Sequence, residues 1–545
     1  MLACSAMVAC TNTDEPENKI EGQEANTAYV SVKLVMTSEG GSRATTDGGY
    51  AIGTTAEQAI NGDKSIFLFY DEEGKWVTDG KVASQNPTTE NSGTDHNDKV
   101  NDLSDAAYIV LSGPDSELKK STQILTVVNY DNVNSLKQLN LKEVLAIITD
   151  SQKNKPNTGF LMTTSVYYNE GVEQTTKING EENICDTQEE ALLHPVKIYI
   201  ERASAKVEAT FNPTYEVLGD GEKPEKEDMV VDGSKVEAQI KINGWKLNAV
   251  NEETYLVKQI DPTWGESVPF EGWNFSGNFR SYWAKSTNWD MTYTGAENDL
   301  TYYTYNQATG TTATPEYCYE QTVASQLEGV GEEEIIYPNQ TTILIAAEIQ
   351  LKGENGFATA GNLYKYGGVF YTEKNYKNLI MKQLKGIFYT KTTTTTADLT
   401  GQDITLDIVS NETLAGIKFD VKLAKGVSVW TKNATTNMEK PADATDIANY
   451  INSLGYVTEV EGYKDGKCYY HIPIEHLSSG ETPFYGVVRN HWYKLNISAV
   501  NHIGSAIYNP EKEIVVIPAE DTTFYLAAEL HVLSWHVVQQ NVELK

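Results

Sequence analysis

Arginine is almost missing from this chain: four residues in 545, at Arg43, Arg202, Arg280 and Arg489. Basic residues together number 43 against 76 acidic ones, a formal charge of −33. That balance disfavours nucleic acid and anionic membrane surfaces as partners, because both require a basic face. Cysteine is also scarce, with Cys4, Cys10, Cys185, Cys318 and Cys468. There is no CxxC and no His–Cys cluster at zinc-ligand spacing. Three widely spaced cysteines in the body of the chain do not make a disulfide framework, so they read as buried free thiols. No run of eighteen apolar residues occurs, so no segment has the makings of a membrane-spanning helix.

Catalytic signatures are absent as well. The sequence has no GxSxG, GxxxxGK[ST], HExxH or GxGxxG. The pairs His471/His476 and His531/His536 are five apart in strand-like segments, where an odd offset sends side chains to opposite faces. His491 and His502 have no ligand spacing. Glycoside hydrolysis needs two carboxylates about 5 Å or about 6.5–9.5 Å apart, and nothing selects such a pair among the acids. The sequence therefore predicts no enzyme activity, no metal and no cofactor.

What is present is β-forming sequence. The chain is 40% hydrophobic and 10% aromatic, and its length exceeds one core, so two or three domains are expected. In AYVSVKLVMT (28–37) Val30, Val32, Leu34 and Met36 alternate with Ser31, Lys33 and Val35, the pattern of a half-buried strand. SIFLFY (65–70) begins a strand that leads into an acidic turn, and STQILTVVNYDN (121–132) reads as a strand inside a sheet. SLKQLNLKEVLAIIT (135–149) predicts short helices. DTQEEALLHP (186–195) reads as a linker, so we place the boundary between the two halves there, with the strand from Val196 opening the second. One clear helix is predicted, at DATDIANYINSLG (443–455), from its N-cap, its Ile447/Tyr450/Ile451/Leu454 stripe and its terminal Gly. Many strands and few helices predict β-sandwiches. The expected units are 1–27 as signal and tether, 28–190 as an N-terminal sandwich and 191–545 as a C-terminal sandwich.

Two short stretches carry functional information. MLACSAMVAC is small and apolar and precedes the polar, acidic TNTDEPENKIEGQEANT. This is the pattern of a lipoprotein signal, with Cys10 as the acylated residue, although no basic residue precedes it. GGSRATTDGG (40–49) holds Arg43 in a loop of Gly, Ser and Thr that cannot pack a core. A single long basic side chain in such a loop suits cleavage between Arg43 and Ala44 by a trypsin-like protease.

Taken in order, the acylatable Cys10, the strand 28–37, Ser42-Arg43-Ala44, ERASAKVE (201–208), YGVVRNHWYKLNISAVNHIG (485–504) and AAELHVLSWHVVQQNVELK (527–545) resemble the Bacteroidales fimbrillins. These are subunits of the type V pilus, and the likeness is greatest to those that form the shaft of the short fimbria. The resemblance runs along most of the chain and is strongest in the last sixty residues. It implies two transthyretin-like β-sandwich domains and no enzyme activity. It also implies a lipidated outer-membrane precursor, an arginine-specific protease, and a fimbrium at the cell surface that supports adhesion. The strand 28–43, with Val30, Val32, Leu34 and Met36, is then removed and replaced by a C-terminal donor strand from another copy or a related subunit. The donor lies within about 524–545, with Trp535, Val538, Val542 and Leu544 as its expected residues and Gln540 as a misfit on the same face. A plain edge strand is the alternative for that segment. The other readings are a tip or anchor subunit of the same fimbria, or a surface carbohydrate-binding lipoprotein using Trp273, Trp283 and Trp289.

Overall fold

The structure, a computed structural model, describes residues 27–37, 57, 59–82, 100–102, 107–150, 159–165, 167–169, 172–217, 226, 228–260, 284–290, 300–310, 315–322, 340–433, 435–479, 482–515 and 536–544. The fold is mostly β-strands in several sheets, with a few short helices.

Ile66–Tyr70 and Gln123–Val128 are buried at every residue. Strands covered on both faces need no polar alternation, which is why both read as continuous apolar runs. They pair antiparallel, from Ile66↔Val127 to Tyr70↔Gln123. Phe67, Phe69 and Ile124 face one core with Val30, Val32, Ile198 and Ile200. Leu68, Leu125 and Val127 face a second core with Val144, Leu256 and Val257. From this centre the sheet continues through Trp76–Val82 to β1 (Thr27–Thr37), β2 (Ala107–Ser112) and β3 (Val196–Arg202). The strand Met162–Thr164 then pairs both with β3 and with Gln123–Val128, so the sheet closes on itself.

This closure takes in a strand that was expected elsewhere. Val196–Arg202 was expected to open the second half, but it pairs with β1 and Met162–Thr164 in the first sheet. Pro195 ends the preceding turn, and the strand after it finds its partners upstream. The second sheet begins with β4 (Ala205–Thr210).

β4 lies between β5 (Glu316–Cys318), antiparallel, and β6 (His491–Val500), parallel. β7 (His536–Leu544) adds parallel to β6. A further sheet contains Ala238–Asn248, Thr342–Gly353 and Lys467–Pro473. Val207, Tyr493 and Leu495 share one core with Ile240, Ile345 and Ile472, so the two layers form a sandwich. The two halves repeat one scheme: β1 sits between an antiparallel β2 and a parallel β3, as β4 sits between β5 and β6.

Thr342–Gly353 and Lys467–Pro473 are direct antiparallel neighbours, Thr342↔Pro473 to Glu348↔Lys467. Such neighbours are commonly joined by a tight turn. Here more than a hundred residues intervene, and they form a core of their own that includes Tyr376, Ile380, Leu384, Phe388, Phe419, Ile447 and Ile451. The predicted helix is there as Ala444–Asn452, with Asp443 and Asp446 forming a capping box. It ends at Ser453, and Gly455 starts a further turn rather than closing the helix. Sequence reading missed the longer helix α1 (Glu373–Leu384). Its buried stripe is only Tyr376, Ile380 and Leu384, set among Lys and Asn.

The halves interlock. Thr254–Tyr255 pairs with Ile148–Thr149, and Leu256, fully buried, enters the N-terminal second core. Leu256→Ala is expected to cost about 2–5 kcal/mol and to lower a single unfolding transition. Denaturant titration followed by near- and far-ultraviolet circular dichroism checks this, and two separated transitions would show that the halves unfold independently.

Candidate functional site

β1 is a core strand by chemistry and position. Ala28, Val30 and Val32 are 2%, 0% and 1% exposed. On one side β1 runs antiparallel to β2, from Thr27↔Ser112 to Val32↔Ala107, and then to Val100–Asp102. On the other it runs parallel to β3, from Val32↔Val196 to Val35↔Tyr199. At Tyr29 a reciprocal pair of backbone hydrogen bonds joins it to Cys185, at 2.8 and 2.9 Å. A strand taking this slot must run parallel to β3 and carry apolar residues at every second position, since a one-residue slip would turn its apolar face outward.

Of the predicted residues, Val30 and Val32 point into the core. Leu34 and Met36 lie within β1, opposite Ile198 and Asn101 respectively. Cys10, Arg43, Ala44 and Trp535 lie outside the described residues. Val538, Val542 and Leu544 lie in β7, in register with Tyr493, Ile497 and Val500 of β6, and Gln540 is opposite Leu495. Those four β6 residues are all buried. β7 thus occupies the outer edge of its own chain's sheet. Of the tryptophans, Trp289 is 8% exposed with the Lys285 ammonium 5.9 Å from its ring centre. Trp273 and Trp283 lie outside the described residues.

The structure also brings together residues that sequence reading did not connect. Arg202 and Arg489 are 1% and 0% exposed. Arg489 is paired with Glu320 at 2.8 Å and donates to Thr254 Oγ1 and the Tyr255 carbonyl. Arg202 donates to the Glu57 carbonyl and to Asn490 Oδ1. The Glu57 carboxylate takes Lys206 at 3.0 Å and the Tyr317 hydroxyl at 2.6 Å. Burial, reinforced by the Glu57 carboxylate, keeps the Tyr317 phenol well above its ordinary range. Lys258 and Glu201 form a further buried pair at 2.9 Å. VVRNHWY is therefore a joint: Val487 and Val488 pack, Arg489 and Asn490 bind across, and Asn490 takes the left-handed conformation (φ 59°) that Asn tolerates. The rings of His476 and His491 meet at 4.7 Å, a pairing that neither five- nor eleven-residue spacing suggested.

Residues 461–541 match the family model for the major fimbrial subunit protein type IV, Fimbrillin, C-terminal. This segment resembles the C-terminal domain of fimbrillins. It contains all of β6, most of β7 and the Arg489–Asn490 joint. Three solved structures are similar. One is a candidate cell adhesion protein from Bacteroides eggerthii, at 12% identity over 62% of this chain and 79% of that one, TM-score 0.27. Another is a fimbrial assembly protein from Parabacteroides distasonis, at 9% identity over 76% and 99%, TM-score 0.24. The third is the tip fimbrial protein Mfa3 from Porphyromonas gingivalis with C-terminal truncation, at 12% identity over 72% and 99%, TM-score 0.21. No curated protein matches the chain.

The matched segment also holds a histidine with a pH consequence. His471, on Lys467–Pro473, is held down to about 4 by burial. Unfolded, it takes its proton near the ordinary histidine value of about 6.5. Its stabilising effect is therefore complete above that value and is lost as the pH falls towards 4. The limit is about 3 kcal/mol, and solvent at its partly exposed edge reduces it. His471→Gln should lose less stability than the parent between about pH 7 and about pH 4.5. Equal losses in urea titrations would contradict this.

Proposed function

We propose that this chain is a polymerising subunit of a bacterial surface fimbria. It is exported as an outer-membrane lipoprotein on Cys10 and cut between Arg43 and Ala44 by an arginine-specific protease. The next copy, or a related fimbrial subunit, then fills the vacated β1 slot with its C-terminal strand. The fimbrium so formed supports adhesion. The observation that carries this reading is β1 itself, a core strand with a neighbour on each side, followed in sequence by the Gly-, Ser- and Thr-rich stretch holding Arg43. Losing it uncovers apolar pockets worth about 1.5–3 kcal/mol for each valine. A replacement strand recovers that, plus about 1 kcal/mol per net backbone hydrogen bond. The contact is head-to-tail and does not close, so it yields filaments. The domain boundary that fits this reading lies between Arg202 and Ala205.

N-terminal sequencing of assembled material should read Ala44-Thr45-Thr46, and Cys10→Ala should release the precursor from the membrane fraction. Assembled subunits that retain Cys10 would sink the proposal. Arg43→Ala is expected to leave a folded, lipidated monomer.

A further inference from the structure

The inserted unit differs in charge from the rest of the molecule. Residues 361–463 contain eleven lysines, no arginine and eleven acids. They are neutral, so the entire charge of −33 is carried elsewhere. Several of these lysines are committed: Lys365 to Glu461, Lys377 to Glu373, Lys391 to Glu439, Lys422 to Asp407 and Lys440 to Asp446. Lys374, Lys382 and Lys385 are exposed on and just after α1, with Asn375 and Asn378, on the face away from buried Tyr376, Ile380 and Leu384. None of the three has an ion-pair partner among the described residues. Apolar surface adjoins them. Ile387 is 39% exposed and Met438 71%. They precede Phe388–Lys391 and Glu439–Ala442, which both run antiparallel to Val429–Lys432, so they lie at the same end of one small sheet.

A complementary surface exists on the other half of the chain. Leu192 and Leu193 are 45% and 75% exposed just after the short helix Gln188–Ala191, which packs beside β1. Exposed Glu181, Asp186, Glu189 and Glu190 flank this knuckle. Glu189 and Glu190 also have no ion-pair partner among the described residues. Each surface thus combines two exposed large apolar side chains with unpaired charge, and the signs are opposite.

We propose that the lysine face of the inserted unit docks on the Leu192–Leu193 knuckle of a second copy of this chain. The two patches are different surfaces of one molecule, so the contact is heterologous and propagates. It requires neither cleavage at Arg43 nor the C-terminal strand, and so stands or falls separately from strand exchange. Exposed, unpaired charges of this kind attract over a Debye length and are screened by salt.

Sedimentation velocity of the purified full chain tests it. At about 20 mM salt the chain should self-associate, and at about 300 mM it should be monomeric. Lys374→Glu/Lys382→Glu/Lys385→Glu should weaken low-salt association about tenfold or more, as should Glu181→Lys/Glu189→Lys/Glu190→Lys. Mixing the two variants should restore it, because each then offers the patch that the other needs, and that rescue also shows that both are folded. A chain that is monomeric at low salt, variants that associate like the parent, or a mixture without rescue would each overturn the proposal.

Discussion

A chain that begins at Ala44 will polymerise where the full chain stays monomeric, in about 300 mM salt, where weak charge contacts are screened. Deleting the first 43 residues removes β1 from between β2 and β3 and leaves both with unpaired backbone groups beside the pockets of Ala28, Val30 and Val32. Open strand edges next to apolar surface are templates for strand addition. The C-terminal segment is the expected addition, because Val538, Gln540, Val542 and Leu544 alternate as Val30, Val32, Leu34 and Met36 do. To be donated, β7 must first leave β6 of its own chain, so polymerisation should show a lag that shortens when Val538→Ser or Val542→Ser weakens β7. Light scattering and electron microscopy report both. If the truncated chain also lacks Trp535–Lys545, we expect a folded monomer that binds a synthetic Trp535–Lys545 peptide. Filaments from that doubly truncated chain would place the donor strand elsewhere. Its unfolding would make the segment part of the chain's own core.

The second large effect is expected at Arg489. Arg489→Ala leaves Glu320, 1% exposed, without its counter-charge. Breaking one side of a buried pair costs about 3–5 kcal/mol. Replacing both partners with apolar residues of similar size, as in Arg489→Met with Glu320→Leu, should recover most of that, because no charge then remains buried alone. Guanidinium titration of the three proteins separates these cases. A loss below about 1 kcal/mol in Arg489→Ala would mean that Glu320 is held by its other neighbours.

Local structure was legible wherever one strand decided it. The continuous runs IFLFY and QILTVV report two-sided burial directly, whereas the alternation in β1 suggested one-sided burial and Ser31 is as buried as Val30 and Val32. Relations between distant residues were not. Nothing near Thr342–Gly353 announces that its neighbour is Lys467–Pro473, and so the inserted unit passed as more β-sequence. Arg489 and Glu320 are far apart in sequence and carry no spacing rule, so VVRNHWY was visible as a motif but not as a joint. Pro195 looked like a boundary because prolines end elements, but sheet membership is set by pairing partners, and those of Val196–Arg202 lie upstream. α1 was hidden because a helix this rich in Lys and Asn shows the period only at its three buried positions.

Only Ala203 and Ser204 separate β3 from β4, so the backbone passes from one sheet into the other through a two-residue bend. Around that crossing lie the buried pairs Lys206–Glu57, Lys258–Glu201 and Arg489–Glu320. In a fibre built from such subunits, tension enters one half and leaves through the other along a covalent path, and the surrounding ion pairs resist bending without being pulled apart. Each subunit would then resist bending at this crossing. The curvature of the fibre, and its point of mechanical failure, belong to the contacts between subunits.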